Sequence, residues 1–456
     1  MARGKKKESA LTPEEKLVQT LVPMEEQPYQ VPENWCWTTI GAINQYSGDS
    51  VDPLKEPDSW FELYSVPSSA DNYPEIVQGG EIGSTKQEVQ KNDVLLCKIN
   101  PRINRVWYVH QHTDNTLLGS SEWIVVRNPK IDSQYLMWCF RSRYFREYML
   151  SNVSGVGGSL MRAQPKFVQG YPVPIAPIAE QQRIVDRIEY LFAKLDEAKE
   201  KAQSVLDSFE TRKAAILHKA FTGELTAKWR AEYGVQLDTW KHHAFRELCA
   251  DIVRGGSPRP AGSPKFYDGP IPFMKVADIT RNNSPYVSSA EYSIKEAGLK
   301  KTRMVSANTL LLTNSGATLG VPAICTFETT FNDGIAAFLG LPEDTLLFYY
   351  YFWTSRTSDL RAINKGSAQP NLNTTIIGDV EIDVPSDPEK NEIVRILESL
   401  FMKEEQAKEA AEAVLEKIDL LKKSILARAF RGELGTNDPT EESALELLKE
   451  ILKGDI

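Results

Sequence analysis

The chain has 456 residues, 41% of them hydrophobic and 25% charged, which is typical of a globular protein too long for a single domain. No apolar run approaches the ~18 residues of a membrane-spanning helix, and no apolar stretch follows the basic start, so we expect neither a membrane span nor a signal peptide. The net charge of −9 argues against nucleic-acid binding when taken alone, although acidic helices can conceal a basic face elsewhere. Five widely spaced cysteines without a C-x-x-C pair predict reduced thiols and a cytoplasmic location.

Two blocks of mixed character alternate with two helical regions along the chain. Both blocks combine short β-rich runs, such as "DVLLCKI" and "NTLLLT", with an aromatic helical run, and turn residues separate these runs. In chain order, the predicted segments are an N-terminal tail (1–30), a first block (31–178), a first helical region (179–226), a linker (227–239), a second block (240–385), a second helical region (386–434) and a C-terminal tail with a short amphipathic helix (435–456).

The two helical regions are copies of one sequence. The 42 residues from Ile184 to Leu225 align without a gap on those 209 positions later, with 20 identities, which indicates an internal duplication. In both copies apolar residues recur at alternating steps of four and three, the heptad pattern of a coiled coil. Each copy ends at a glycine, Gly223 or Gly432, the residue favoured just after a helix C-terminus.

Because the copies share a seam, we expect them to pack on each other antiparallel, related by a pseudo-twofold axis. That register places Phe209 against Ala407 and Leu195 against Leu421. The tail helix, with its leucines on one side, is expected to pack on this coil or on a neighbouring subunit, or else to be a frayed end.

Two charged residues interrupt the predicted seam. Arg212 interrupts the first helix and Glu404 the second, and the pseudo-twofold register places them opposite each other. We predict that they form the one ion pair in an otherwise apolar seam and that it fixes the register. The alternatives are that both side chains extend into solvent, or that a shifted register moves Glu404 towards Lys219.

No catalytic centre can be assembled from the sequence. There is no G-x-x-x-x-G-K-[ST] motif, and "SGVGGS" at Ser154 lacks the G-x-G-x-x-G spacing. "DNYPE" at Asp71 shares only its composition with the adenine-methylation motif (D/N)-P-P-(Y/F). His110 and His112 could share a strand face, but further metal ligands are missing. We therefore predict neither catalytic residues nor a metal site.

Several motifs together resemble the specificity (S) subunits of type I restriction–modification systems. They are "PIAPIAEQQRIVDRIEYLFAKLD", "LHKAFTGELTAKWRAEY", "GGSPRP…PIPFMKVADI", "NSGATLGVPAI", "KGSAQPNLNTTIIGDVEIDVP", and "EIVRILESL" through "AFRGEL". The resemblance covers nearly the whole chain. The first block departs from it, since "KINPRINRVWYV" stands in place of a Gly-rich hairpin and "GSLMRAQPKF" carries extra residues before its Gln-Pro.

This resemblance implies an α+β fold, in which two globular mixed α/β target-recognition domains are separated by two long antiparallel coiled-coil helices as a pseudo-twofold internal repeat. It also implies a non-catalytic subunit whose recognition domains each read one half of an asymmetric, bipartite target in double-stranded DNA. The helices would set the spacing and dock two methyltransferase (M) subunits, and two motor-nuclease (R) subunits would complete the restriction enzyme. S-adenosylmethionine, ATP and Mg²⁺ are expected on those partners and no cofactor on this chain.

DNA contacts are expected from basic and amide-bearing loops in both blocks. Between Lys98 and Arg146 the basic residues exceed the acidic ones by five, a local surplus that attracts phosphates. Arg, Lys, Asn and Gln can read base edges with paired hydrogen bonds, whereas a turn residue or a solvated charge is the alternative at each position. The predicted DNA-binding residues are Lys98, Asn100, Arg102, Asn104, Arg105, Gln164 and Lys166 in the first block, and Arg254, Arg259, Lys275, Asn314, Ser315, Thr318, Ser367, Gln369 and Asn371 in the second.

Two other functions stay open on the sequence alone. One is a scaffold whose two blocks bind two proteins across a coiled-coil spacer. The other is a bifunctional enzyme with its own methyltransferase, which the missing motifs disfavour. Co-purification with methyltransferase subunits, followed by mapping of methylated sites, discriminates among the three.

Overall fold

The computed structural model describes residues 12–155, 161–281, 284–363 and 372–453. The chain falls into two units, Met1–Ala202 with Ala413–Ile456, and Gln203–Glu412. We call them the first and second unit. Each of the two long helices contributes residues to both units. Within the described residues, no helix has the length and apolar character needed to cross a membrane.

Two helices of more than 40 residues carry the repeated sequence. Each ends within three residues of a glycine in the left-handed conformation, Gly223 at φ +80° and Gly432 at φ +72°. In chain order the helices are α1 (Pro13–Thr20), α2 (Ile40–Ile43), α3 (Ser133–Arg141), α4 (Arg143–Ser151), α5 (Pro165–Val168), α6 (Ile178–Phe221), α7 (Ala227–Tyr233), α8 (Val276–Thr280), α9 (Glu296–Leu299), α10 (Leu346–Ile363), α11 (Thr374–Gly378), α12 (Asp387–Ala429) and α13 (Ala444–Lys453).

The strands of the first block precede α6. They are β1 (Cys36–Thr39), β2 (Ser50–Val51), β3 (Trp60–Tyr64), β4 (Glu75–Gln78), β5 (Lys86–Glu88), β6 (Val94–Cys97), β7 (Val106–Tyr108), β8 (Thr116–Gly119), β9 (Trp123–Val126), β10 (Val153–Ser154), β11 (Arg162–Ala163) and β12 (Pro172–Ile175). They form sheets in the orders β2-β5-β8-β3-β4 and β7-β6-β9, and the pairs β1-β12 and β10-β11.

The strands of the second block lie between α7 and α12. They are β13 (Lys241–Ala244), β14 (Asp251–Arg254), β15 (Tyr267–Met274), β16 (Tyr286–Val287), β17 (Tyr292–Ile294), β18 (Arg303–Val305), β19 (Thr309–Thr313), β20 (Pro322–Cys325), β21 (Thr329–Phe331), β22 (Ile335–Leu339) and β23 (Glu381–Val384). The sheet orders are β14-β22-β19-β20-β16 and β17-β15-β21-β18, with the pair β13-β23. The two blocks share the order of their main strands, β4-β3-β8-β5 with β17-β15-β21-β18 and β7-β6-β9 with β20-β19-β22, and differ in their edge strands.

Each block is closed by an antiparallel pair of its first and last strands. β1 pairs with β12, and β13 pairs with β23. A tryptophan immediately precedes the first strand in both cases, Trp35 before β1 and Trp240 before β13. The last strand leads within a few residues into α6 or α12, so the pair fixes where the long helix begins.

A buried glutamate in the first turn of each long helix binds that tryptophan. Glu180 in α6 accepts a hydrogen bond from Trp35 Nε1 (2.7 Å), and Glu389 in α12, 209 positions later, accepts one from Trp240 Nε1 (2.9 Å). Both glutamates are fully buried. We call these contacts the first and second Trp–Glu latch. The latches are a duplicated feature that the sequence comparison did not identify.

Each latch also binds the segment that follows the other long helix. In the first unit, Glu180 accepts hydrogen bonds from Thr436 Oγ1 (3.2 Å) and Asn437 Nδ2 (2.9 Å), both beyond α12. In the second unit, Glu389 Oε1 accepts from Thr226 Oγ1 (2.7 Å) and from the Arg230 guanidinium (2.6 Å), beyond α6. Neutral donors thus surround the first carboxylate, whereas the second forms a buried ion pair.

The two long helices pack antiparallel. In the second unit Lys408 lies over the Phe209 ring (5.2 Å to its centroid), and Lys213 lies over the Phe401 ring (5.7 Å). Between these two contacts the residue number increases along α6 and decreases along α12, so the two helices run in opposite directions. The predicted fold class, mixed α/β blocks with two long antiparallel helices, is confirmed.

The predicted seam of the second helix is displaced by one residue in part of its length. Leu421 is 47% exposed and Ala407 is also exposed, whereas Lys408 and Lys422 are half-buried. Phe209 consequently packs against Lys408 rather than Ala407. The predicted pairing of Phe209 with Ala407 is wrong, because the half-buried Lys408 lies over Phe209 instead, and the exposure of Leu421 argues against its pairing with Leu195.

The C-terminal helix packs on the start of the chain. Leu448 and Leu452 of α13 are buried in one cluster with Leu17 of α1 and Ile40 of α2. α1 begins with a capping box at Thr12. The same cluster includes Ile184 of α6 and Leu426 of α12, which agrees with the expected packing on the coil, whereas packing on another subunit stays a prediction.

Candidate nucleic-acid interface

The loop between β6 and β7 is a clamped turn that carries five of the predicted DNA-binding residues. Asn100 (φ 48°) and Asn104 (φ 55°) adopt the left-handed conformation that asparagine tolerates better than most residues, and they flank a single 3₁₀ turn. The Asn104 side-chain amide donates to Phe140 O (3.3 Å), and the Arg146 guanidinium donates to Arg102 O. The turn is thereby fixed to α3 and α4, with the Arg102 side chain exposed.

A second predicted segment of the first block lies beside this turn. Ala163 N donates to Lys98 O (2.9 Å), and Asn100 N donates to Met161 O (2.8 Å). Gln164, which is half-buried, and Lys166, which is exposed, follow directly. The structure therefore brings the first-block candidates together from two adjoining segments.

In the second block, a turn that we did not predict joins several candidates. The Arg254 guanidinium donates to Asp333 O (2.6 Å), and Asn314 N donates to Gly334 O (2.9 Å). A Cβ atom on Gly334 would lie 3.0 Å from Ser315 Oγ and 2.7 Å from a methyl group of Val276, so only glycine allows this approach. The signal in the sequence was the turn triplet "NDG" from Asn332 to Gly334.

Asn314 is the one described candidate that is fully buried. Neither atom of its side-chain amide has a hydrogen-bond partner. Asn332 Oδ1 is likewise buried without a partner. A base contact by Asn314 would require this loop to open, so its prediction as a surface contact is corrected.

The remaining second-block candidates are dispersed. Arg259 is exposed before the cis bond to Pro260, and the Lys275 ammonium lies 3.1 Å from the centroid of the Tyr292 ring. Thr318 is half-buried, and its carbonyl accepts from Thr313 Oγ1 (2.6 Å). Three predicted residues lie outside the described residues: Ser367, Gln369 and Asn371.

The two charged residues of the predicted seam are in contact. Arg212 Nε donates to Glu404 Oε2 over 2.8 Å, with both side chains partly buried. A second interhelical ion pair, Lys422 to Asp196 (2.5 Å), lies in the first unit. The prediction of a single ion pair is therefore wrong, and the register-fixing role of Arg212 and Glu404 stays a prediction.

Four of the five cysteines are buried thiols, and Cys249 is half-buried. Burial raises the pKa of Cys36 to about 12 and that of Cys139 to about 12, so both stay protonated at neutral pH. Burial, and then the neighbouring His112, lowers the pKa of His110. Across the described ranges, no group of three or more His, Cys, Asp or Glu side chains could hold a metal ion.

Comparison with known proteins identifies the family. Residues 239–416 match the family described as "Type I restriction modification DNA specificity domain". The EcoBI specificity subunit of Escherichia coli is 24% identical over 427 residues, covering 83% of this chain and 86% of that protein. The EcoKI specificity subunit of Escherichia coli K12 is 24% identical over 337 residues, 71% of each chain. Residues 239–416 thus match this family's domain, and over most of its length the chain is similar to type I specificity subunits.

A solved structure shares the fold of this chain. The crystal structure of the HsdS subunit from Thermoanaerobacter tengcongensis matches with a TM-score of 0.67 at 21% identity, covering 90% of this chain and 100% of that one. Specificity subunits are the non-catalytic, DNA-recognising subunits of systems that also contain M and R subunits. The function therefore depends on surfaces, and the clamped turn is the surface with the most fixed geometry among the candidates.

Proposed function

We propose that this chain directs a type I restriction–modification enzyme to an asymmetric, bipartite DNA sequence, with each block reading one half. The long helices set the spacing between the half-sites and dock two methyltransferase subunits, and two motor-nuclease subunits complete the enzyme in the cytoplasm. S-adenosylmethionine, ATP and Mg²⁺ act on those partners, and this chain contributes recognition alone.

The observation that carries this proposal is the unequal divergence within the duplication. The long helices keep 20 of 42 residues identical, whereas the two blocks share only the order of their main strands and differ in their edge strands and their loop sequences. Identical partner subunits require the same docking surface twice, whereas two different half-sites require two different reading surfaces. Both requirements are met if the helices bind protein and the blocks bind DNA.

The clamped turn supports base reading by the first block. Arg102 Nε donates to Asn100 Oδ1 (3.4 Å), and the turn below it is fixed by α3 and α4, so the guanidinium is partly oriented before DNA arrives. Arginine is the side chain that most often reads guanine, through paired hydrogen bonds to O6 and N7. Orientation in advance reduces the entropy lost on binding.

The test is co-expression with a methyltransferase subunit of a type I system, followed by genome-wide mapping of methylated adenines. The expected result is one split motif with a methylated adenine in each half. A continuous motif, or a stable complex that methylates nothing, would contradict the proposal. Arg102→Ala should weaken cognate DNA binding by about 1–3 kcal/mol while leaving binding to unrelated DNA nearly unchanged; an equal loss on both would show a phosphate contact instead.

A further inference from the structure

A cationic cleft of about 820 Å³ adjoins the clamped turn in the first unit. The turn, helices α3 and α4, and the last part of α12 form its walls. Its basic lining residues are Arg105, Arg141, Arg143, Arg146 and Lys423, and Glu147 is its one acidic lining residue. We call it the first-unit cleft.

Most of this positive charge is not neutralised. Glu147 pairs with Arg143 (2.9 Å), so the cleft's only carboxylate is already used. Within the described residues, the other four basic side chains form no ion pair; Arg141 donates to Val106 O (2.9 Å), which orients it without neutralising it. Burial lowers the pKa of Arg141. Four uncompensated cations around one concave surface favour an anionic ligand with several charges.

The second unit has a cleft at the repeat-equivalent place, and its three basic lining residues face two acidic ones, so it is much less cationic. This cleft of about 620 Å³ lies between α6 and α10. Ala214 and Leu217 of α6 line it, and 209 positions later Lys423 and Leu426 line the first-unit cleft. Its basic lining residues are Lys213, Arg356 and Arg361, and its acidic lining residues are Glu210 and Asp359. His218 also lines it.

The difference in charge between the two clefts discriminates between a protein ligand and a DNA ligand. A protein partner present in two identical copies would need the same chemistry in both clefts, and the clefts differ in charge. The two halves of an asymmetric DNA target differ, so unequal contacts are expected there. The first-unit cleft also includes Asn104 and Arg105 of the clamped turn, so a duplex read by that turn would pass beside it.

We infer that the first-unit cleft holds backbone phosphates next to the half-site read by the first block, and that Lys423 of the long helix is one of the phosphate contacts. The inference rests on the proposed function. It assigns a DNA contact to a helix whose repeat counterpart, with Ala214 at the equivalent position, cannot make the same contact. The first unit then contributes more of the sequence-independent affinity than the second.

The test measures binding of the complex with the methyltransferase subunit to a duplex of about 30 base pairs by fluorescence anisotropy across a salt series. A lost phosphate contact reduces the slope of log K against log salt by about 0.9, which corresponds to about five-fold weaker binding at 0.15 M salt. Lys423→Gln should show this change on cognate and unrelated duplexes alike. Lys423→Arg, which keeps the charge, should restore both values.

Lys417→Gln is the matched control, because Lys417 is an exposed lysine of the same helix outside the cleft and should leave the slope unchanged. An unchanged slope in Lys423→Gln, an equal effect of Lys417→Gln, or reduced recovery of the methyltransferase subunit with Lys423→Gln would each overturn the inference. Weaker binding of inorganic tripolyphosphate by Lys423→Gln with DNA binding intact would also overturn it, in favour of a small phosphate ligand. If the wild-type complex binds no DNA, the proposed function itself fails.

Discussion

Neutralising the two equivalent latch glutamates should destabilise the two units unequally. Glu389→Gln removes the charge that faces Arg230, whose side chain is only 9% exposed. Removing one partner of a buried ion pair leaves the other charge uncompensated and costs about 3–5 kcal/mol. Arg230 and Thr226 both donate to Oε1, whereas Trp240 Nε1 donates to Oε2. A glutamine that keeps its oxygen at the Oε1 position would therefore place its NH₂ group against the Trp240 N–H, and two donors would face each other.

Glu180→Gln should cost less, because all of its donors are neutral. Trp35 and Asn437 both donate to Oε2, and a glutamine oxygen at that place can still accept both hydrogen bonds. The Thr436 hydroxyl, which donates to Oε1, can rotate to accept from the new amide. Exchanging charge-assisted hydrogen bonds for neutral ones costs about 1–2 kcal/mol.

Differential scanning calorimetry with hydrogen exchange measures the difference. For a unit of about 200 residues each kcal/mol lowers Tm by about 2–4 °C, so we expect losses of about 6–20 °C for Glu389→Gln and about 2–8 °C for Glu180→Gln. Faster exchange should be confined to β13 and β23 in the first variant and to β1 and β12 in the second. Adding Arg230→Met to Glu389→Gln should recover part of the loss. Equal losses, or a larger loss at Glu180, would refute the argument from the buried guanidinium.

Three further predictions concern single contacts. The Arg212→Leu, Glu404→Leu cycle should give a coupling energy of about 0.5–1 kcal/mol in urea unfolding, and a value of zero would show that the pair adds nothing to the helix interface. Asn314→Leu should leave Tm unchanged or raise it, because it removes an amide without hydrogen-bond partners; a clear decrease would reveal a partner. Asp383 raises the pKa of His242 above its unfolded value, so this group stabilises the fold below the unfolded pKa and loses that contribution as pH rises; the deficit in Tm of His242→Gln should therefore shrink between pH 5.5 and pH 8.

Periodicity predicted the long helices well, because it depends on backbone geometry and on the sequence within each helix. The absence of interior glycine in α6 and α12 and the terminal Gly223 and Gly432 fixed their extent to within a few residues. The seam was less predictable. Lys408 and Lys422 are half-buried with their ammonium groups over the Phe209 and Phe192 rings, and a search for apolar residues does not detect a lysine in that role.

The candidate site was predictable only in part, because its geometry depends on distant contacts. The clamped turn was found from its local density of basic and amide residues. Its fixation by Arg146, and the approach of Gly334 to Ser315, join segments that are far apart in sequence. The burial of Asn314 has the same origin, since its backbone is hydrogen-bonded to Gly334 and Leu372, which are distant in sequence. Residue type alone distinguishes neither an exposed asparagine from a buried one nor a paired arginine from a free one.

Some features of the chain are duplicated and others are not, and this difference helps to distinguish DNA recognition from a protein-binding scaffold. The features kept in both units are the helix ends, the closing strand pairs and the Trp–Glu latches, all of which hold a block on its long helix. The features that differ are the edge strands of the sheets, the loop sequences and the charge of the two clefts. A scaffold that binds the same protein with both blocks would be under pressure to keep those surfaces alike. Divergence of the surfaces, with the attachment of the blocks unchanged, is what two unlike ligands require, and the halves of an asymmetric DNA sequence are two such ligands.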